Sequence, residues 1–275
     1  GWIYAFANGD SPPPAAQAIV AFPTSEIYQQ AAKEILEQTG VTRGFCLVID
    51  GEEGKLAYEL ARQSELEVYV VESDPTKVAT ARSDLSKAGV YGSRVTVHEF
   101  DVADIPYSNY FANLIVSDRF VKTGETSTDP ALVIRHLKPA GGVMCLGQPQ
   151  KSDAATAVAV VTKAVAPNTL TAGEASQKTD AGWATLSRGM LPGAGGWSHQ
   201  YGNAGNTAVS DDKRVKGGLG VLWYGDPGLG DMVNRHDGSV GPLAIGGRLF
   251  VQGESTIRAY DAYNGLFLWN YDNPK

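Results

Sequence analysis

Two cysteines in 275 residues leave little room for a disulfide framework. Cys46 and Cys145 each lie inside an apolar run, where a free thiol behaves as a small hydrophobe, and both read as buried thiols. There is no CxxC pair and no Cys/His cluster at zinc spacing. The four histidines, His98, His136, His199 and His236, are scattered singly, so no metal site is expected. Dense Lys/Arg runs are also missing, and the formal net charge is -7. That balance disfavours a nucleic-acid groove, because phosphate neutralisation supplies most of such affinity. No stretch approaches the roughly 20 apolar residues of a membrane span. The opening residues lack a charged segment followed by a long apolar one. The expectation is a soluble chain without a membrane span.

What is present suits a packed core: 43% of the residues are hydrophobic and 19% charged. The length predicts one medium domain plus smaller units, divided as residues 1–23, 24–190 and 191–275. Residues 9–18, with Pro12-Pro13-Pro14, read as a linker. From Thr24 the spacing of Ile27, Ala31 and Ile35 predicts a helix, with Thr24 or Ser25 as N-cap and Gly40 as stop.

Short apolar strands then alternate with helical segments, the pattern of a parallel sheet covered on both faces. Strands are expected at 45–49, 67–71, 94–100, 112–116 and 142–146. Helices are expected at 55–62, from Asp74-Pro75 to Gly89, at 129–137 and at 154–165. Residues 183–188 read as a closing antiparallel strand. After Met190 the texture turns to glycine, asparagine and aromatics. Three strands are expected there, around 220–224, 248–252 and 256–260, bounded by Gly-Asp, Gly-Gly and Asn-Gly turn signals.

In a doubly wound sheet, ligands bind beyond the carboxyl ends of the strands, near the point where strand order reverses. The first such loop is Asp50-Gly51-Glu52-Glu53-Gly54, and Glu72 ends the second strand about 20 residues on, the spacing of a nucleoside or dinucleotide site. An NAD-dependent oxidoreductase is disfavoured, since the loop lacks a full Gly-x-Gly-x-x-Gly and no catalytic Tyr/Lys or His pairing is evident. His98 and His136 read as structural or solvated.

Taken in order, Leu47 to Gly54, Val70 to Pro75, Phe100-Asp101-Val102, Ala112 to Asp118 and Leu137 to Gly142 resemble the class I S-adenosylmethionine-dependent methyltransferases. The resemblance covers well over half the chain. It implies an α/β, doubly wound, Rossmann-like sheet, mostly parallel with one antiparallel strand near the end, followed here by a small all-β segment. It implies S-adenosyl-L-methionine as cofactor and S-adenosyl-L-homocysteine as product. The family's roles would fall on Asp50, Gly51, Glu52 and Gly54 for the methionine end and Glu72 with Ser73 for the ribose. Asp101 with Val102 would read the adenine, and the segment Ser117-Asp118-Arg119 would face the methyl donor and the substrate. The three glycine places of the family loop hold Asp50, Glu52 and Gly54. Ser117-Asp118-Arg119-Phe120 departs from the Asn/Asp-Pro-Pro-aromatic pattern of amino-group methyltransferases, so the acceptor is left as a small molecule or a protein, with no catalytic residue assigned. The alternative is a degenerate, non-catalytic module of the same fold.

The tail carries its own likeness. Ala259-x-Asp261-x-x-x-Gly265-x-x-x-Trp269 resembles the repeat of quinoprotein-type (PQQ-like) β-propellers, and Trp2 to Phe6 with Asn8-Gly9 resembles a partial copy. This implies a methyltransferase-like domain inserted in, or cut from, a bacterial-type propeller protein, the rest of which the chain lacks. Cofactor supply favours the cytoplasm; the propeller likeness points to a periplasmic setting.

Overall fold

The structure is a computed structural model that describes residues 18–127, 129–165, 175–225, 233 and 240–272. Helix α1 (Glu26–Thr39) starts after Ser25, whose side chain makes no capping bond, and stops at Gly40. At φ 67 Gly40 sits where a side chain would be strained, and its N–H closes on the Leu36 carbonyl.

Seven strands follow: β1 (Arg43–Ile49), β2 (Glu65–Glu72), β3 (Val95–Glu99), β4 (Leu114–Ser117), β5 (Val143–Gly147), β6 (Ala175–Asp180) and β7 (Trp183–Arg188). They form one sheet in the order β3-β2-β1-β4-β5-β7-β6. Strands β1 to β5 pair in parallel, and β7 runs antiparallel to both its neighbours. The expected doubly wound α/β sheet with one reversed strand near its end is therefore present. The near-continuous apolar runs of β1 and β4 follow from burial on both faces. On one face Cys46, Val48, Val70 and Val116 pack with residues of α1, α2 (Lys55–Gln63) and α3 (Pro75–Lys87). On the other, Leu47, Ile49 and Ile115 pack with α4 (Asp118–Thr123) and α5 (Ala155–Ala164). Both cysteines lie in these cores, and burial pushes their thiols up.

The tail forms a second sheet of β8 (Leu243–Ile245), β9 (Arg248–Gln252), β10 (Thr256–Asp261) and β11 (Phe267–Asp272), antiparallel throughout, in the order β11-β10-β9-β8. It docks on the amino ends of the large sheet. Lys138 Nζ meets Asp261 Oδ2 at 2.7 Å with both side chains buried, and also donates to the carbonyls of Pro139 and Ala140. Asn264 Nδ2 donates to the Phe111 carbonyl at 2.8 Å and to Asn113 Oδ1 at 2.9 Å. Asn113 Oδ1 accepts in turn from the Phe45 N–H at the start of β1.

Several expectations need correction. Residues 129–137 form two 3-10 turns, Pro130–Leu132 and Ile134–His136, rather than a helix. Arg188 Nη1 takes the Leu137 carbonyl at 2.7 Å, and residues 133–137 close i→i−3 bonds before the chain bridges to Ala112. Residues 220–224 make no strand; Trp223 instead lies across Gly265, stacks on Tyr260 and donates Nε1–H to the Ala262 carbonyl at 3.0 Å. Strands β6, β8 and β11 and helix α4 were not anticipated. The Pro12-Pro13-Pro14 linker and the Trp2 to Gly9 likeness lie outside the described residues.

Removing one member of a buried ion pair strands the other charge in a low-dielectric site. Lys138→Met is expected to destabilise the chain by about 3–5 kcal/mol in urea unfolding. The double variant Lys138→Met/Asp261→Leu is expected to regain most of that loss, and equal instability of the two variants would contradict this account of the junction.

Candidate functional site

Strand β1 pairs with β2 on one side and β4 on the other, so the crevice of the sheet opens above the carboxyl ends of β1 and β4. The loop leaving β1 keeps the backbone path that glycines would take without glycines in two of its places: Asp50 and Glu52 both hold φ 47. Such a conformation costs about 1–2 kcal/mol for an ordinary L-residue, with Asp among the tolerated exceptions. Gly51 is required for a different reason. A Cβ on it would stand 2.0 Å from Val70 Cγ1, so the loop can lie on β2 only as glycine. Gly54, at φ 78, opens α2.

Glu72 closes β2 with its side chain buried. Its Oε2 accepts from the Glu52 N–H at 2.8 Å, and its Oε1 accepts from the N–H groups of Ser73 and Asp74, both at 2.9 Å. One carboxylate thus fixes the β1 loop and the turn into α3 together. Asp74 then caps α3 through the N–H groups of Thr76 and Lys77, with Pro75 at the first helical position.

Asp50 is 5% exposed. Its Oδ2 accepts from Ser117 Oγ at 3.2 Å and from the Ser127 N–H at 3.2 Å, and its Oδ1 accepts from the Ser127 hydroxyl. The contact spans the crevice from β1 to the end of β4. Ser117 also caps α4, its Oγ accepting the Phe120 N–H at 3.1 Å. The neighbouring acids are paired with lysines: Glu52 with Lys77 at 2.9 Å and Glu53 with Lys55 at 2.7 Å.

Of the residues expected at the site, Asp50, Gly51, Glu52, Gly54, Glu72, Ser73 and Ser117 converge on this crevice. Asp101 and Val102 stand beside it, since the Phe100 N–H bonds the Glu72 carbonyl. Asp101 caps its own turn through the Ala103 N–H at 2.9 Å, with Val102 buried beneath.

Asp118 goes the other way. It is fully buried and accepts the Leu56 N–H at 3.0 Å, supplying α2 with the cap that Gly54 cannot offer. Burial pushes its carboxyl up to about 7, opposed by the Leu56 N–H and the Tyr28 hydroxyl. Sequence reading grouped Asp118 with the crevice and missed Ser127, Lys55 and Lys77. An acid directly after an apolar strand, opening a short helix, was the available signal for Asp118. Nothing in the local sequence marks Ser127. His136 is buried, with Nδ1 on the Ser108 carbonyl at 3.0 Å, and burial lowers it to about 4; His98 pairs with the Tyr107 hydroxyl. Both are structural. Among the described residues no group of three or more His, Cys, Asp or Glu could hold a metal, and no helix is long and apolar enough to cross a membrane.

No family model matches the chain, and no curated protein matches it. Solved structures do. A protein from Methanococcus maripaludis described as an S-adenosyl-L-methionine-dependent methyltransferase aligns over 60% of this chain and 86% of its own, at 21% identity and a TM-score of 0.46. A SAM-dependent methyltransferase from Aquifex aeolicus aligns over 59% and 90%, at 13% identity and a TM-score of 0.42. Phosphoethanolamine N-methyltransferase 2 of Haemonchus contortus, in complex with S-adenosyl-L-methionine, aligns over 43% and 27%, at 24% identity and a TM-score of 0.37.

Because Asp118 is protonated more readily folded than unfolded, its contribution to stability is largest at low pH and is lost as pH rises from about 4 to about 7. The wild-type protein is expected to lose stability relative to Asp118→Asn across that window, read as thermal midpoints at half-unit pH steps. Parallel profiles would show that this carboxyl titrates normally.

Proposed function

We propose that this chain is an S-adenosylmethionine-dependent methyltransferase whose cofactor lies in the β1/β4 crevice, with a small molecule or a protein as acceptor. The observation that carries the reading is the buried Glu72 carboxylate at the end of β2, bonded across to the β1 loop at the Glu52 N–H. A carboxylate in that place accepts ribose hydroxyls in nucleoside-binding doubly wound sheets. The surroundings fit an adenosine. Gly51 lets the loop lie against β2, and the exposed Asp101 and 36%-exposed Phe100 beside Glu72 offer a polar acceptor and an apolar face to a base.

In this reading Glu72 and Ser73 hold the ribose, Asp101 and Val102 bound the adenine, and Asp50, Gly51, Glu52, Gly54 and Ser117 line the amino-acid end. When bound, the cofactor supplies an electrophilic methyl group on sulfonium. The chain's part is to bind and orient: Glu72 fixes the nucleoside, the β1 loop bounds its tail, and proximity to the acceptor lowers the barrier. On the spacing Ala259-x-Asp261-x-x-x-Gly265-x-x-x-Trp269 alone, the tail is read as a blade-like propeller unit. One observation favours a second reading, that of a non-catalytic module: the Asp50 carboxylate ties Ser117 to Ser127 across the crevice and must yield space to a ligand.

Calorimetric titration with S-adenosylmethionine and S-adenosylhomocysteine separates the two. Saturable binding is expected, weakened at least about tenfold by Glu72→Ala, as loss of hydrogen bonds to a charged group implies. Glu72→Gln, which keeps one oxygen for the loop, checks that the fold survives. No binding at millimolar ligand would overturn the enzyme reading in favour of the module.

A further inference from the structure

We infer that the cleft between the amino ends of the large sheet and the β8–β9 turn of the small sheet is a second ligand site, built for an aromatic carboxylate. It lies at the opposite end of the large sheet from the β1/β4 crevice and does not rest on the methyltransferase reading. Its walls come from Tyr110 ahead of β4, Met190 past β7, the turn from Ile245 to Arg248, and Tyr263 past β10, with Arg214 on the rim. The cavity measures about 350 Å³, within the roughly 300–1,000 Å³ of small-molecule sites.

Charge sets the sign of the ligand. Arg214 and Arg248 both line the cleft and both are exposed. The Arg248 guanidinium has no hydrogen-bond or ion-pair partner among the described residues, and the Arg214 guanidinium donates to the Pro192 carbonyl at 3.3 Å. The one acid in the lining, Asp212, is turned to the backbone, where it accepts from the N–H groups of Gly195, Arg214 and Val215. In a chain of net charge -7 this is a local excess of positive charge. A guanidinium fork matches a carboxylate with two parallel hydrogen bonds.

The rings set the body of the ligand. Tyr110 and Tyr263 meet edge to face, with centroids 5.8 Å apart and planes at 78°. The buried Arg188 guanidinium lies 4.9 Å from the Tyr110 centroid and is itself held by the carbonyls of Ile134 and Leu137. Tyr110 stands at φ 66, which a bulky residue adopts only where its surroundings over-determine it, as at ligand clamps. Neither tyrosine hydroxyl has a hydrogen-bond partner among the described residues. Burial, then Asp261, raises the Tyr263 phenol, so its hydroxyl keeps a proton to donate. Met190, Val215 and Ile245 leave apolar surface exposed in the same cleft. A flat ring covers that surface, and a bare inorganic anion does not.

The test is calorimetry of the full chain with benzoate, with benzyl alcohol as a neutral ring of similar size, and with inorganic phosphate as an anion without a ring. Benzoate is expected to bind at least about tenfold tighter than either. In Arg248→Gln its advantage over benzyl alcohol is expected to fall to about twofold or less. The thermal midpoint of that variant is expected to be unchanged, because no protein group depends on this guanidinium. Saturating S-adenosylhomocysteine is expected to leave benzoate affinity unaltered, which separates this site from the crevice. Equal affinity for benzoate and benzyl alcohol, tighter binding of phosphate, an undiminished advantage in Arg248→Gln, or displacement of benzoate by the nucleoside would overturn the inference. Absence of benzoate binding at about 10 mM would do the same. Binding of S-adenosylmethionine through Glu72 stands or falls separately.

Discussion

A single buried carboxylate organises the carboxyl ends of β1 and β2. Glu72 accepts three backbone N–H groups from two segments: Glu52 from the β1 loop and Ser73 and Asp74 from the turn into α3. Burying a carboxylate is unfavourable unless its lone pairs are satisfied, and backbone N–H donors aimed at it are the strong kind of partner. With that anchor in place the β1 loop can hold two non-glycine residues at positive φ, because the loop's path is determined from outside rather than by its own preferences. Gly51 completes the arrangement by letting the loop touch Val70.

The two ends of the large sheet do different work. At the carboxyl ends, polar groups converge: Glu72 gathers the β1 loop and the turn into α3, and Asp50 ties Ser117 to Ser127. At the amino ends the turn from Lys138 to Gly142 and the residues leading into β1 and β4 are used up in holding the small sheet. Lys138 meets Asp261, Asn113 meets Asn264, and Gly142 leaves room where a Cβ would stand 2.4 Å from the Lys138 carbonyl. The Asp and Gly of the tail motif thus have local structural duties: Asp261 is an ion-pair partner, and Gly265 lies under the ring of Trp223.

Strands buried on both faces announced themselves as apolar runs, and Asp74-Pro75 announced α3 through its capping chemistry, so the order of the sheet's first five strands was legible. The elements that escaped notice lack such internal signals. Strand β6, Ala175–Asp180, is mostly exposed and polar, and exists because β7 offers it an edge. Residues 129–137 carry helical composition, but Arg188, a long way off in sequence, captures the carbonyl of Leu137. Position along the fold gave the candidate residues after β1 and at the end of β2. It could not give Ser127, which reaches Asp50 across 77 positions, or the inward turn of Asp118, which depends on α2 starting at a glycine that offers no capping side chain.

The most direct test of this account is a crystal structure of the chain grown with saturating S-adenosylmethionine. The account requires density for an adenosine above the carboxyl ends of β1 and β4, with its ribose hydroxyls within hydrogen-bond distance of the Glu72 carboxylate and the Glu52 N–H still on that carboxylate. An empty crevice at saturating ligand, or a nucleoside bound away from Glu72, would contradict it.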